Sequence, residues 1–327
     1  MPIAPLRLPK FLTARSPADA IAVCRRLADV EDQVVELDVR GTEFVDPFGM
    51  TLLGESLLQL ADYGQRVRVI GLDQQTGAYL HRMDVFRHVE LVDIRPPPVR
   101  RRDRHDALSE LKRIEGEDEA EEVARGLAHA LVGTPLRPRA RGHDAMHAPE
   151  HEHQKDLIEY VLSELLSNAL THAQRQGFRG KARVWTAAQY YPSSDKVRLA
   201  VADTGCGLLA TLKGHPQLDA DTHFAAISAA LQPRVSCNRN LGVRQDTVNQ
   251  GVGLTTVHRI VDHGAGDLLV LTGNAFQRQR GGGVMRNDVT WQGVATGVEM
   301  RREALRGLRI SELLPLGDAV PPELRFE

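Results

Sequence analysis

Glu164-Leu165-Leu166-Ser167-Asn168-Ala169-Leu170-Thr171-His172-Ala173 is the stretch whose reading decides the fold. Glu164, Asn168 and His172 recur every four residues, so a helix would line them up on one stripe. Leu157, Ile158, Val161, Leu162, Leu165, Leu166 and Ala169 form the apolar stripe beside them. A merely solvated helix face would carry long Lys, Glu and Arg side chains. This one carries Ser163, Ser167, Asn168 and Thr171, short groups that suit a close approach by something else.

Two later segments sharpen that reading. Lys196 to Val201 alternates as a strand does and runs into Asp203-Thr204-Gly205-Cys206-Gly207. Asn249-Gln250-Gly251-Val252-Gly253-Leu254 is followed at once by a helical pattern from Thr255 to Val261. Alone, each glycine motif could be an ordinary turn. In this order and at these separations the three resemble the N, G1 and G2 boxes of the GHKL ATPase superfamily, which includes gyrase, heat-shock chaperones, histidine kinases and mismatch-repair proteins. Gly293 to Val298 is similar to the last nucleotide-contacting strand of that fold, and the resemblance covers roughly residues 150 to 303. It implies a two-layer α+β sandwich of the GHKL (Bergerat) type, with ATP and Mg²⁺ as cofactors.

The chemistry of the boxes follows from residue types. Asn168 offers a neutral amide oxygen, a hard ligand for Mg²⁺ that arrives with phosphates. Glu164, one turn earlier, can take a proton from an attacking water or hydroxyl. Asp203, at a strand end, can accept a hydrogen bond from the exocyclic amine of adenine; guanine presents a carbonyl there, so Asp203 would select ATP over GTP. Gly205 and Gly207 let the backbone approach the base without a Cβ. Gly251 and Gly253 open a helix whose free N–H groups can face phosphate oxygens, with Leu254 following them. The resemblance adds Thr296 as a nucleotide contact. Sensor histidine kinases commonly place a lysine three residues after the asparagine; here that place holds Thr171. His172, four residues after it, is more similar to the serine kinase and anti-sigma factor branch. It could reach a phosphate or be a hydrogen-bonded core histidine.

Leu208 to Gln250 would be the ATP lid of this family, a polar mobile loop in which Arg234, Arg239 or Arg244 touches the γ-phosphate or lies on solvated surface.

Residues 1–94 form a second unit. Helical spacing over Ser16 to Leu27, a strand over Val34 to Val39, an amphipathic helix over Gly49 to Tyr63, a strand over Val67 to Ile70 and a helix over Gln74 to Met83 imply a parallel or mixed α/β sheet. Phe44 to Met50 resembles the signature turn of STAS domains, the anti-sigma factor antagonist fold. Those antagonists usually carry a phosphorylated Ser-Ser or Ser-Thr after the aspartate; here Pro47 and Phe48 stand there and neither accepts phosphate. A docking or sensing module is the expectation, with Phe48 a core plug or an exposed anchor.

Arg95 to Arg102, rich in Pro and Arg, begins a linker set at residues 95–105. Asp106 to Leu131 has the pattern of one or two helices within a helical connector over 106–148. His105 and His129 are its candidate phosphoacceptors, in a segment short for a two-helix dimerisation hairpin. His143, His147, His151 and His153 have a spacing that can hold zinc or nickel, although no cysteine joins them and Pro149 interrupts them; the alternative is an exposed polar loop. The ATPase domain is set at 149–305 and a tail at 306–327.

With 41 Lys and Arg against 43 Asp and Glu, the formal charge of -2 leaves no global nucleic-acid footprint. The three cysteines, Cys24, Cys206 and Cys237, lie far apart and suit a reducing compartment. No run approaches the roughly 20 apolar residues of a membrane span, and the N-terminus lacks a signal-peptide core. A cytoplasmic ATP-binding regulatory protein is therefore expected. It would phosphorylate a partner protein or hydrolyse ATP, or else act as a non-catalytic ATP-gated interaction module. A protein partner and a homodimer are both compatible with the resemblance.

Overall fold

A computed structural model describes residues 5–93, 108–132, 148–172, 182–233, 235, 253–286 and 289–314. The front unit runs β1 (Leu6–Arg7), β2 (Phe11–Leu12), α1 (Pro17–Ala28), β3 (Val34–Asp38), β4 (Phe44–Val45), α2 (Pro47–Asp62), β5 (Arg66–Ile70) and α3 (Gln75–Arg82). The order β1-β3-β5 is parallel throughout, with Val35 opposite Val67 and Leu37 opposite Val69. Parallel strands require crossovers, and helices supply them here. A second parallel pair, β2-β4, leads directly into α2. There Asp46 caps the helix by accepting from Gly49 N at 3.0 Å, and Pro47 fills the first turn, where its missing N–H costs nothing.

The remainder runs β6 (Leu108–Ile114), α4 (Glu117–Val132), α5 (Ala148–His172), β7 (Val184–Tyr191), β8 (Lys196–Asp203), α6 (Gly207–Thr211), α7 (His223–Ala230), α8 (Gly253–His263), β9 (Asp267–Gly273), β10 (Ala275–Arg278), β11 (Gly281–Val284), β12 (Trp291–Arg301) and α9 (Ile310–Leu313). Its strands form one antiparallel sheet in the order β11-β10-β9-β12-β8-β7-β6.

Side-chain alternation divides this sheet cleanly. Val197, Leu199, Val201, Leu268, Val270 and Val298 point to one face and pack with the apolar stripes of α4, α5 and α8. Trp185, Ala187, Ala200, Ala202, Leu269, Leu271 and Ala295 point to the other and join the core of the front unit. Helix α2 lies between α1 and this second face, so Leu52, Leu53, Leu57 and Leu60 are all within 1% of full burial. The sheet is thus covered on both sides: by its own helices on one, by the front unit on the other.

Three expectations need correction. Leu108 to Ile114 is a strand, not part of a helical connector. Its apolar residues, Leu108, Leu111 and Ile114, are three apart, which mimics a helix. A bulge between Ser109 and Lys112 shifts the register, and because Leu111 and Ile114 are an odd number of residues apart, strand alternation sends Leu111 to the front-unit core and Ile114 to the helical-layer core. The start of the expected lid is folded, with α6 and α7 packed on β9, β10 and β12. Thr222 caps α7, accepting from Ala225 N at 3.2 Å, and the largely apolar run Phe224 to Leu231 continues it. The expected tail begins with α9, whose Leu313 is buried and whose carbonyl accepts from Arg259 Nη1 at 3.2 Å.

Helix α4 packs along α5 within the helical layer, and His129 faces outward from it. His105, Cys237, Arg234, Arg239 and Arg244 lie outside the described residues. So do His143, His147 and the side chain of His151; His153 is half-buried on α5. Among the described residues no group of His, Cys, Asp and Glu could hold a metal ion, and no helix is long and apolar enough to cross a membrane.

Candidate nucleotide site

Strand alternation sends Asp203, Val201, Thr296, Val270 and Thr272 to the face covered by helices. Thr296 is buried and stands between Val201 and Val270 across the sheet. Asp203 is fully enclosed at the end of β8. Its Oδ1 accepts from Gly205 N at 2.8 Å and its Oδ2 from Val294 N at 3.3 Å. Burial raises its carboxyl pKa to about 7, and the two backbone N–H bonds only partly offset that rise. Among the described residues only backbone N–H groups donate to the carboxylate, which leaves a lone pair on each oxygen for a further donor such as an amine.

The loop beyond it is tightly packed. Gly293, at φ +96°, lies against Asp203; a Cβ there would stand 2.6 Å from Asp203 Oδ1 and 2.7 Å from Gly205 N. Trp291 Nε1 donates to the Asp203 carbonyl at 3.0 Å. Thr272 Oγ1 donates to Gly293 O at 2.7 Å and accepts from Leu208 N at 3.3 Å. Gly207, at φ +77°, faces that same hydroxyl; a Cβ would stand 2.8 Å from it. Gly205 and Gly207 thus serve the loop in two ways, one lending its N–H to Asp203 and the other its left-handed backbone.

On the helical side, the Glu164 carboxyl presses against Gly253 at the N-terminus of α8. A Cβ on Gly253 would fall 2.8 Å from the carboxyl carbon, so a side chain there would push the Glu164 carboxyl aside. The Tyr160 hydroxyl donates to Glu164 and accepts from Thr256 of α8. Burial raises the Glu164 pKa, with the Tyr160 bond opposing it. Asn168 follows one turn along α5 and is half-buried; Leu254, in the first turn of α8, packs against the core of the helical layer. Gly251 and the side chain of His172 lie outside the described residues.

Sequence reasoning missed Thr272, Tyr160 and Trp291. Thr272 sits in an ordinary strand and is recruited only because β9 runs beside β12. Tyr160 was legible as the residue four before Glu164, the same helical stripe. A cavity of about 330 Å³ lies on the other face of the sheet, against Pro47 and Phe48, but its arginines are engaged with acids: Arg15 and Arg198 with Glu299, and Arg278 with Asp267.

Residues 153–286 match the family of histidine kinase-, DNA gyrase B- and HSP90-like ATPases. The match takes in α5, the Asp203 loop and α8, so this part of the chain is a GHKL-type ATPase domain, a class that binds ATP. No curated protein and no solved structure matches the chain.

Proposed function

We propose that this chain is a regulatory protein whose GHKL domain binds Mg-ATP and transfers the γ-phosphate to a partner protein or to water. Asp203 would accept from the adenine amine, with Gly205, Gly207 and Thr296 shaping its surroundings. Asn168 would hold Mg²⁺, which when bound neutralises charge on the phosphates. The free N–H groups at the start of α8, by Gly253, suit phosphate oxygens. The residues fit such a ligand: Asp203 is an anchored acceptor with lone pairs to offer, beside a glycine cradle that a side chain would fill.

The observation that carries turnover is Glu164. Its carboxyl lies at the N-terminus of α8, and its raised pKa brings it closer to the range of an effective general base. It can take a proton from water or from a serine hydroxyl. Thr171 in place of the sensor-kinase lysine, with His172 one residue on, favours the serine kinase and anti-sigma factor branch, in a cytoplasmic setting. The parallel sheet and the Phe44 to Met50 turn support a STAS-like front unit that docks without a phosphorylated hydroxyl.

A second reading, a non-catalytic ATP-gated interaction module, is favoured by the covered sheet face: a unit already packed on the ATPase domain could respond to nucleotide by repacking. Purified protein with γ-labelled ATP, with and without cell extract, separates the two. Phosphoprotein or free phosphate is expected. Glu164→Ala should lower that turnover by roughly 10² to 10⁴-fold while binding persists, and Asn168→Ala should lose magnesium-dependent binding. Binding without either product, or turnover unchanged in Glu164→Ala, would favour the module.

A further inference from the structure

Glu55 is the one acidic residue of α2 with no exposure, set in the core between the front unit and the ATPase sheet. A carboxylate there is costly unless its oxygens are engaged. Arg183 Nε donates to both oxygens at 3.0 Å and Arg183 Nη2 to Oε1 at 2.5 Å. Trp185 Nε1 donates to Oε2 at 2.7 Å, and Gln59 Nε2 to Oε1 at 2.9 Å. A buried ion pair is seldom more stabilising than apolar residues of the same volume. Its distinguishing effect is geometric, because it fixes which atoms stand where.

Those atoms adjoin the nucleotide loop. Arg183 and Trp185 bracket Val184, and Val184 is the strand partner of Asp203. Arg183 is also clamped to the next residue of the loop: its N–H donates to Thr204 Oγ1 at 3.0 Å, and its carbonyl accepts from Thr204 N at 3.1 Å. One carboxylate of the front unit therefore grips both neighbours of the residue opposite Asp203, and one of these neighbours grips the loop itself. We propose that Glu55 is a positioning residue for the nucleotide site, acting through Arg183 and Thr204, and that the front unit and nucleotide are energetically coupled through this path. The inference rests on the assignment of Asp203 to nucleotide binding. By linkage the coupling is reciprocal: what moves α2 alters nucleotide affinity, and nucleotide must tighten α2.

Two measurements on the full chain test it. Calorimetry with Mg-ATP should show Glu55→Gln, which keeps the volume but removes the charge, binding about 5 to 150-fold more weakly than wild type, the usual range of such couplings. Thr204→Val should weaken binding as well, and the double variant should be weakened less than the product of the two, since both cut one path. A purely structural Glu55 would lower the melting temperature and leave ATP affinity, measured well below melting, unchanged. That result, or independent effects of the two substitutions, would overturn the proposal. If Glu55→Gln does not fold, hydrogen exchange decides the matter: Mg-ATP should slow exchange in α2 of the wild type beyond any slowing in α3, and Thr204→Val should abolish that difference. Equal slowing in α2 and α3, or its persistence in Thr204→Val, would refute the path. Wild type that binds no ATP would refute the nucleotide assignment itself, a different failure from wild type that binds while the variants bind equally well.

Discussion

The two faces of the seven-stranded sheet are built by the same strands, residue by alternate residue, yet they are chemically unlike. Toward the front unit the strands present Ala187, Ala200, Ala202, Leu269, Leu271 and Ala295, apolar and mostly small, which lets a whole helix lie close. Toward α5 and α8 they begin apolar and turn polar at one end, where Asp203, Thr272 and Thr296 stand buried. A buried polar end on an otherwise apolar face needs either internal partners or a ligand. The first face is read as packing; on the second, Asp203 and Thr272 have backbone partners, and its reading as a site rests on the proposed function.

Two aspartates make the same contrast at smaller scale. Asp46 accepts from Ala14 N and Gly49 N, both at 3.0 Å; Asp203 accepts from Gly205 N and Val294 N. Burial lifts the first to about 6 and the second to about 7. Asp46 caps a helix and so completes a structure. Asp203 caps none, and its orientation is held by glycine-rich backbone. Residue type and local bonding are shared, and placement assigns the role.

The largest expected effect tests the packing face. Phe48 is buried between Ala14 and Gly297, where the front unit meets β12. Phe48→Ala should cost about 3–5 kcal/mol in urea unfolding. Its ring is thus a core plug and not an exposed anchor, and it stands where the two units of the chain meet. If only the front unit unfolded earlier while the ATPase domain kept its midpoint, the two faces would be independent after all. Next comes Asp203→Ala, expected to weaken ATP binding by about 1.5–3 kcal/mol, as for a lost buried hydrogen bond. Calorimetry giving wild-type affinity would remove the distinction between site and packing.

A smaller effect separates the two aspartates by pH. Each folded pKa lies above its ordinary value, so each proton stabilises the fold. That stabilisation is complete below about pH 4 and is lost as pH rises through about 6 for Asp46 and about 7 for Asp203. Asp203→Asn removes only the later loss. Its stability relative to wild type should therefore improve from pH 5 to pH 8 in denaturant titrations without nucleotide; a constant difference would break the assignment of that loss to Asp203. The smallest effect is a null. Thr51 is wholly buried and donates to Phe48 O at 2.9 Å, and Thr42 is 4% exposed, so neither should carry phosphate in cells. Phosphate on either, found by mass spectrometry, would restore a hydroxyl switch to the front unit.

The elements that were legible have local signals. The stripes of α5, the alternation of β8 and the helix of Gly49 to Tyr63 follow from periodicity alone; the structure moves the bounds of the last two by a few residues and starts α5 at Ala148, so that His151 and His153 stand on the helix and not in a loop before it. Strand β6 was not legible, because Leu108, Leu111 and Ile114 have the spacing of a helix while Leu111 and Ile114 serve opposite faces of the sheet. Nor was α7, because a short apolar helix inside a polar stretch has no long period to detect. Thr272 was invisible, since its role exists only where β9 meets β12.

The sequence by itself determined the helix carrying Glu164 and Asn168, the strand that ends in Asp203 and the glycines around it, since each depends on neighbours a few residues away. Only the tertiary structure decided that α2 lies buried against the ATPase sheet and that Glu55 meets Arg183 and Trp185. Those contacts join residues more than 120 positions apart. They depend on which face of the sheet remains open once α4, α5 and α8 have covered the other, and no local pattern encodes that choice.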